Sequence, residues 1–151
     1  MSEHLTLADR SWPLLGRLMQ VHVLLYRMTG GLVGHHAPGL RPMLLLDHVG
    51  ARSGKRRTTP LAYMLCEGNL IVAGAKNGHP RNPGWVYNLR AHPHTEVQVG
   101  TGKIKVHATE ASPAERERLW PVAADYNPAW ARYQRRTRRV FPLVILTPER
   151  N

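Results

Sequence analysis

Apolar residues along the chain fall into short runs broken by glycine, proline and charge, and the runs carry two different periods. From Trp12 to Met28 they cover most of a helical circumference, leaving Arg17, Gln20 and Arg27 as a narrow polar stripe. Gly30 and Gly31 then end the predicted helix. It is too polar and too short for a transmembrane span. It either packs across one opening of the core or rests on a membrane surface with its cations toward lipid headgroups, and core packing is favoured. After it, Gly34-His35-His36-Ala37-Pro38-Gly39 reads as a loop whose adjacent histidines lack the i, i+4 spacing of a helical metal site, so no metal ligands are assigned.

The next runs read as strands: Met43 to His48, Leu61 to Cys66 and, after the turn Glu67-Gly68-Asn69, Leu70 to Ala75. A short helix is predicted from Asn82 as N-cap and Pro83 as first helical residue through Leu89, ending before His92-Pro93. Alternation in Thr95 to Val99 and Lys103 to Thr109, around Gly100-Thr101-Gly102, predicts a hairpin. Ser112-Pro113-Ala114-Glu115 is a capping box that starts a helix running toward Trp120. Asn127-Pro128 starts another, with Trp130, Tyr133 and Thr137 on one face and Arg132, Arg135, Arg136 and Arg139 mostly on another. Val140 to Thr147 contains Pro142 and is placed as an edge strand. Six antiparallel strands with a few helices predict a mainly β, α+β fold: a small antiparallel β-barrel with an N-terminal helix and covering helices. At 151 residues, one domain is expected over 1–151, with helix and loop in 1–37 and the barrel core in 38–151.

Charge narrows the partners. The 21 Lys and Arg against 10 Asp and Glu give +11, which favours an anionic partner. No zinc-finger, KH or RNP-type pattern is present and no aromatics interleave the basic residues, so specific nucleic-acid binding is not expected. Cys66 is the single cysteine and sits in an apolar run, so it reads as packing in a reducing compartment. The N-terminus shows no signal-peptide pattern, and the expected location is the cytoplasm, with peripheral attachment to the inner membrane face as the alternative for the N-terminal helix.

The densest charge lies in Val49-Gly50-Ala51-Arg52-Ser53-Gly54-Lys55-Arg56-Arg57-Thr58-Thr59-Pro60-Leu61. Held between two apolar runs, it reads either as an anion cradle or as a solvated basic hairpin. Gly54 permits a left-handed turn, and successive N–H groups there favour an anion. Ser53, Thr58 and Thr59 add hydroxyls, while Arg52 and Arg57 offer planar forks to phosphate or carboxylate.

Together with Ala73-Gly74-Ala75-Lys76-Asn77-Gly78 and Asn82-Pro83-Gly84-Trp85-Val86-Tyr87-Asn88-Leu89, followed by Ala91-His92-Pro93, this basic block closely resembles the deazaflavin-dependent nitroreductase family of split β-barrel oxidoreductases. The resemblance runs from about Trp12 to Pro148. It implies a split barrel, related to FMN-binding barrels, and coenzyme F-420, an 8-hydroxy-5-deazaflavin with a phosphodiester and a polyanionic oligoglutamate tail. By the same resemblance Arg52, Ser53, Lys55 and Arg57 hold phosphate and tail. Thr58, Thr59, Pro60, Leu61, Ala73, Gly74, Ala75 and Lys76 line the ring, and Trp85, Val86, Tyr87 and Asn88 close over it. Trp130 and Tyr133 face the acceptor, with the Tyr133 hydroxyl as the catalytic donor. Ala75 and Trp130 stand where nitro-reducing members carry Ser and Tyr, which implies weak activity toward nitroimidazoles.

The expected function is reduction of a quinone, enone or nitro-type acceptor by the reduced deazaflavin, in a monomer or homodimer. An FMN-binding split barrel and a basic, non-enzymatic domain for nucleic acid or lipid are the alternatives.

Overall fold

The computed structural model describes residues 7–28 and 41–150, with α1 side chains over residues 17–27. The glycine stop at Gly30-Gly31 and the His35-His36 loop lie outside the described residues. Helix α1 (Leu7–Met28) precedes strands β1 (Met43–Val49), β2 (Arg56–Ala62), β3 (Met64–Cys66) and β4 (Asn69–Ala73). Helix α2 (Gly84–Ala91), strands β5 (His94–Val99) and β6 (Gly102–Glu110), helices α3 (Pro113–Tyr126) and α4 (Pro128–Gln134), and strand β7 (Leu143–Pro148) complete the order.

The strands form one antiparallel seven-stranded sheet in the order β2-β1-β5-β6-β7-β4-β3. Strands β2 and β3, at opposite ends of that order, are separated in sequence only by Tyr63. The sheet therefore has to curl, bringing its two ends to one bent stretch of chain, and the result is a half-barrel. Leu44, Leu46, Val72, Val97, Val106 and Leu146 fill its interior together with Trp85, Val86 and Leu89 of α2. Outside, Leu119 and Ala123 of α3 and Trp130 of α4 pack with Ile71, Phe141 and Leu143.

Helix α1 uses two faces. Tyr26 is fully buried and Val23 nearly so, packed with Leu45 of β1, and burial of such side chains contributes roughly 1.5 to 3 kcal/mol each. The Tyr26 hydroxyl donates to the Met43 carbonyl at 3.1 Å and accepts the Gly100 N–H at 2.7 Å. Leu18, Val21, Leu24 and Leu25 remain exposed. Among the described residues, no helix is long and apolar enough to cross a membrane, and no group of three or more His, Cys, Asp or Glu side chains is placed to hold a metal.

Five local expectations change. The run Leu61 to Cys66 is not one strand: Leu61 and Ala62 end β2, and Met64–Cys66 form β3 at the other end of the sheet order, because the chain bends at Tyr63, which gives seven strands rather than six. The run Arg56–Pro60 is strand, not loop, since β2 pairs with β1 from Val49↔Arg56 to Met43↔Ala62. Strand β7 is central, between β6 and β4; Pro142 lies just before it, so no ladder donor is lost, and its carbonyl accepts the Gly74 N–H at 2.9 Å. Pro83, not Asn82, is the N-cap of α2, because the Asn82 carboxamide oxygen is taken by Arg139 at 2.5 Å. Helix α3 begins on the expected Ser112–Glu115 box but runs through Pro121 to Tyr126, the packing of Leu119 and Ala123 outweighing a proline cost of about 3 kcal/mol.

Candidate active site

A groove of ≈ 2290 Å³ runs along the β1–β2 end of the sheet, past α1 and α2, to the end of β4 and to α4. Its mouth is the hairpin loop between β1 and β2. There Gly50 N–H bonds the Lys55 carbonyl and Gly54 N–H the Gly50 carbonyl, both at 2.9 Å, with Gly54 at φ 67°. A side chain at Gly50 would come 2.2 Å from Ser53 Oγ, and that hydroxyl accepts the Lys55 N–H at 3.2 Å. Ser53 thus helps to close the turn itself. Arg52, Lys55, Arg56 and Arg57 are exposed along it.

The pleat splits the residues of β1 and β2 between two faces. Residues paired across antiparallel strands share a face and alternate along each strand, so His48, Arg57, Thr59 and Leu61 lie on the interior side, as Leu46 does. Asp47, Arg56, Thr58 and Pro60 lie on the side of Leu45, against α1. There Arg27 donates to Asp47 Oδ1 at 2.6 Å and to Thr58 Oγ1 at 3.0 Å, and Thr58 donates to the same carboxylate oxygen at 2.5 Å. The Thr58 hydroxyl is therefore engaged in tying α1 to the sheet.

On the interior side, Asn88 of α2 joins three pieces of chain. Its Oδ1 accepts the Ala51 N–H at 2.9 Å, which turns its NH₂ toward His48 Nδ1, also at 2.9 Å. His48 Nδ1 is then an acceptor, and Nε2 carries the proton that is donated to Thr59 Oγ1 at 2.9 Å. Burial and the nearby Arg57 cation lower the His48 pKa to about 4, against a smaller opposing pull from Asp47, so the imidazole is neutral at physiological pH. Asn88 lines the groove, and its amide also latches the basic loop to α2. Nothing in the sequence pairs Asn88 with a histidine forty positions earlier.

Ala73, Ala75, Lys76 and Asn77 line the far end with Trp85, Tyr87, Trp130 and Tyr133. Gly74 and Val86 are not among the lining residues. A Cβ on Gly74 would lie 2.8 Å from Pro142 Cγ and 3.0 Å from Val86 Cγ2, so this glycine serves close packing, and its N–H is committed to the Pro142 carbonyl. Trp85 and Trp130 are each 5% exposed and offer the groove little surface. Tyr133 is half-buried, with the Arg136 guanidinium 5.2 Å from its ring centroid. Tyr87 is exposed beneath Arg90, 5.3 Å away. The sequence reading missed Arg139, whose guanidinium holds the carbonyls of Gly74, Ala75 and His79 behind this wall.

The sequence model of the F420H(2)-dependent quinone reductases matches residues 18–148. An F420H(2)-dependent quinone reductase of Mycobacterium tuberculosis H37Rv is 38% identical over 134 residues, covering 87% of this chain and 90% of that protein. Among solved structures, an F420-H2 dependent reductase, FDR-A, is 36% identical with a TM-score of 0.63, covering 70% of this chain and 94% of that one. Another, described as a domain-swapped dimer, is 32% identical with a TM-score of 0.65, covering 87% and 96%. The chain, a curled half-barrel with a cation-rich groove, belongs to the F420H(2)-dependent quinone reductase family.

Proposed function

We propose that this protein binds reduced coenzyme F-420 in the groove and reduces a quinone-type acceptor stacked above the ring. The observation that carries this reading is the polarity of one continuous groove: exposed Arg52, Lys55 and Arg57 at one end, and small and aromatic residues Ala73, Ala75, Trp85, Trp130 and Tyr133 at the other. A flat ring bearing a long polyanion fits such a division of chemistry. When bound, the reduced deazaflavin supplies a hydride to the acceptor.

The residues of the chain bind, place and exclude water. Arg52, Lys55 and Arg57 take the phosphate and glutamyl carboxylates as charge-assisted partners, with Ser53 shaping the turn that presents them. Thr59, Leu61, Ala73, Ala75 and Lys76 border the ring. Thr58 and Pro60 support that border from the α1 side, Gly74 and Val86 from behind. Tyr133 donates a hydrogen bond to the acceptor oxygen that gains charge, and Trp130 walls the acceptor. With Ala at position 75, no hydroxyl is offered there to orient a nitro group.

Titration of the purified protein with reduced and oxidised F-420 and with FMN, followed by a screen of quinones, enones and nitro compounds, tests the assignment. Tight F-420 binding with quinone turnover is expected. Selective FMN binding would transfer the protein to the flavin-binding barrels, and salt-sensitive nucleic-acid binding without cofactor competition would remove the enzymatic reading.

A second reading concerns α1, whose outward residues Leu18, Val21, Leu24 and Leu25 are 42–58% exposed beside exposed Arg17. This face suits a peripheral contact with an anionic membrane, where lipid quinones reside. Val21→Glu with Leu24→Glu leaves the buried Val23 and Tyr26 in place. It should abolish co-sedimentation with anionic vesicles and leave turnover of a water-soluble quinone intact; unchanged sedimentation would sink the reading.

A further inference from the structure

The chain leaves β4 through a backbone conformation that L-residues avoid. Lys76, Asn77 and Gly78 have φ of 43°, 53° and 78° in succession, forming a left-handed turn at the groove wall. Gly78 enters this region without steric cost and Asn77 is tolerated there better than most side chains, whereas Lys76 is held in it against its preference. Such strain persists where neighbouring structure over-determines it.

Two backbone bonds close the turn, Gly78 N–H to the Ala75 carbonyl and His79 N–H to the Lys76 carbonyl, both at 2.9 Å, and one side chain braces it from outside. From behind the wall, Arg139 Nη1 donates to the Gly74 carbonyl at 2.7 Å and to Asn82 Oδ1 at 2.5 Å. Its Nη2 donates to the Ala75 carbonyl at 3.0 Å, and its Nε to the His79 carbonyl at 3.0 Å. The carbonyls before and after the turn are thereby held by one rigid fork. Arg139 is itself fixed: its guanidinium stacks 4.6 Å over the Phe141 ring, and its carbonyl accepts from Gln134 Nε2 at 2.6 Å, at the end of α4. On the other side of the turn, a Cβ on Gly78 would come 2.7 Å from the Tyr133 carbonyl and 2.8 Å from Arg136 Cβ. The turn is thus squeezed between Arg139 and α4. Ala73, Ala75, Lys76 and Asn77 line the groove on one side of this junction, Trp130 and Tyr133 on the other.

We propose that Arg139 is a positioning residue: it holds the left-handed turn Lys76–Gly78 and so sets the gap between the wall that borders the cofactor ring and the helix that faces the acceptor. The consequence for catalysis rests on the deazaflavin reading of the groove. Arg139 touches no reactant. It acts through the carbonyls of Gly74, Ala75 and His79, and Lys, a point charge without the fork, replaces it poorly.

The experiment compares wild type with Arg139→Lys and Arg139→Met. Hydrogen exchange of the cofactor-free protein, read by mass spectrometry, should rise about tenfold or more in peptides spanning residues 73–81, and hardly change in peptides from β1 and β2, as local opening requires. Because the tail cations lie in a different loop, the dissociation constant for F-420 should move by less than about threefold, while single-turnover quinone reduction at saturating cofactor should fall about tenfold or more, as sub-ångström misplacement of reactants predicts. Exchange unchanged at 73–81 would overturn the proposal. So would exchange raised evenly through the sheet with affinity and rate falling together, or an Arg139→Lys variant that fails to fold, since each makes Arg139 a general stabiliser. If wild type binds no F-420 the functional reading falls separately, and the exchange result alone decides whether Arg139 holds the turn.

Discussion

Acid should uncouple the basic loop from α2, because the bond between Asn88 and His48 requires a neutral imidazole. Protonation places N–H groups on both ring nitrogens, so Nδ1 can no longer accept from the Asn88 amide, and the amide that also holds the Ala51 N–H must turn or separate. The sign comes from His48 titrating at about 4 in the folded protein against an ordinary 6.5. Between those values the unfolded chain binds the proton and the folded chain resists it, so stability is full above pH 6.5 and falls as pH drops toward 4. By pH 5 the two titration curves differ by about 2 kcal/mol, a large share of a typical domain's stability. Urea unfolding at pH 7 and pH 5 measures the loss, and His48→Gln, which cannot titrate, supplies the baseline. Most of this window lies above the usual carboxylate range, so the difference between the two proteins isolates the imidazole. Proton NMR of the His48 ring gives the midpoint directly. A midpoint near 6.5, or an equal pH dependence in His48→Gln, would refute the argument that burial and Arg57 keep this ring neutral.

Replacing Arg57, exposed at the start of β2, by Ala should weaken long-tailed F-420 by up to about tenfold, about 1.4 kcal/mol, and leave a tail-less deazaflavin unaffected in equilibrium titration; equal losses would remove the loop from tail recognition. Gly74→Ala forces a methyl group against Pro142 and Val86, so unfolding experiments should show a loss of about 1 to 3 kcal/mol, and an unchanged melting temperature would show that the wall yields freely. Tyr133→Phe keeps the half-buried ring and removes the hydroxyl; kcat toward quinones should fall about tenfold or more with F-420 affinity and melting temperature nearly constant, whereas a lower melting temperature with unaltered turnover would make that hydroxyl structural.

Local chemistry was the legible part of the fold. The Ser112–Glu115 box closes both of its hydrogen bonds, and Gly100 turns the β5–β6 hairpin with φ 59°, since both signals act over a few residues and need no distant partner. Strand order was less legible. Pro142 argues for an edge only if it lies inside the ladder, yet β7 starts one residue later and pairs on both sides. In the same way the charges of Arg56 and Arg57 suggested a loop, although a strand at the end of the sheet order exposes side chains readily while its backbone stays paired with β1.

The site shows the same limit at finer scale. The block from Arg52 to Leu61 lines the groove apart from Gly54, but what the block alone did not show is the pleat, which sends Thr58 and Pro60 toward α1 and Thr59 and Leu61 inward. Alternation is visible in a sequence once the segment is known to be a strand, and four cations in six positions hid that it was one. Residues that organise the site from behind carry even less local signal. Arg139 looked like one member of an arginine-rich helix face, whereas α4 ends at Gln134 and the chain beyond it carries Arg139 inward to carbonyls sixty or more positions earlier. A backbone carbonyl is the same acceptor in every residue, so a side chain whose partners are carbonyls leaves no complementary residue type to find. Groups that touch a ligand are chosen for their chemistry and announce themselves in the sequence; groups that hold the backbone are identified only by where the fold brings them.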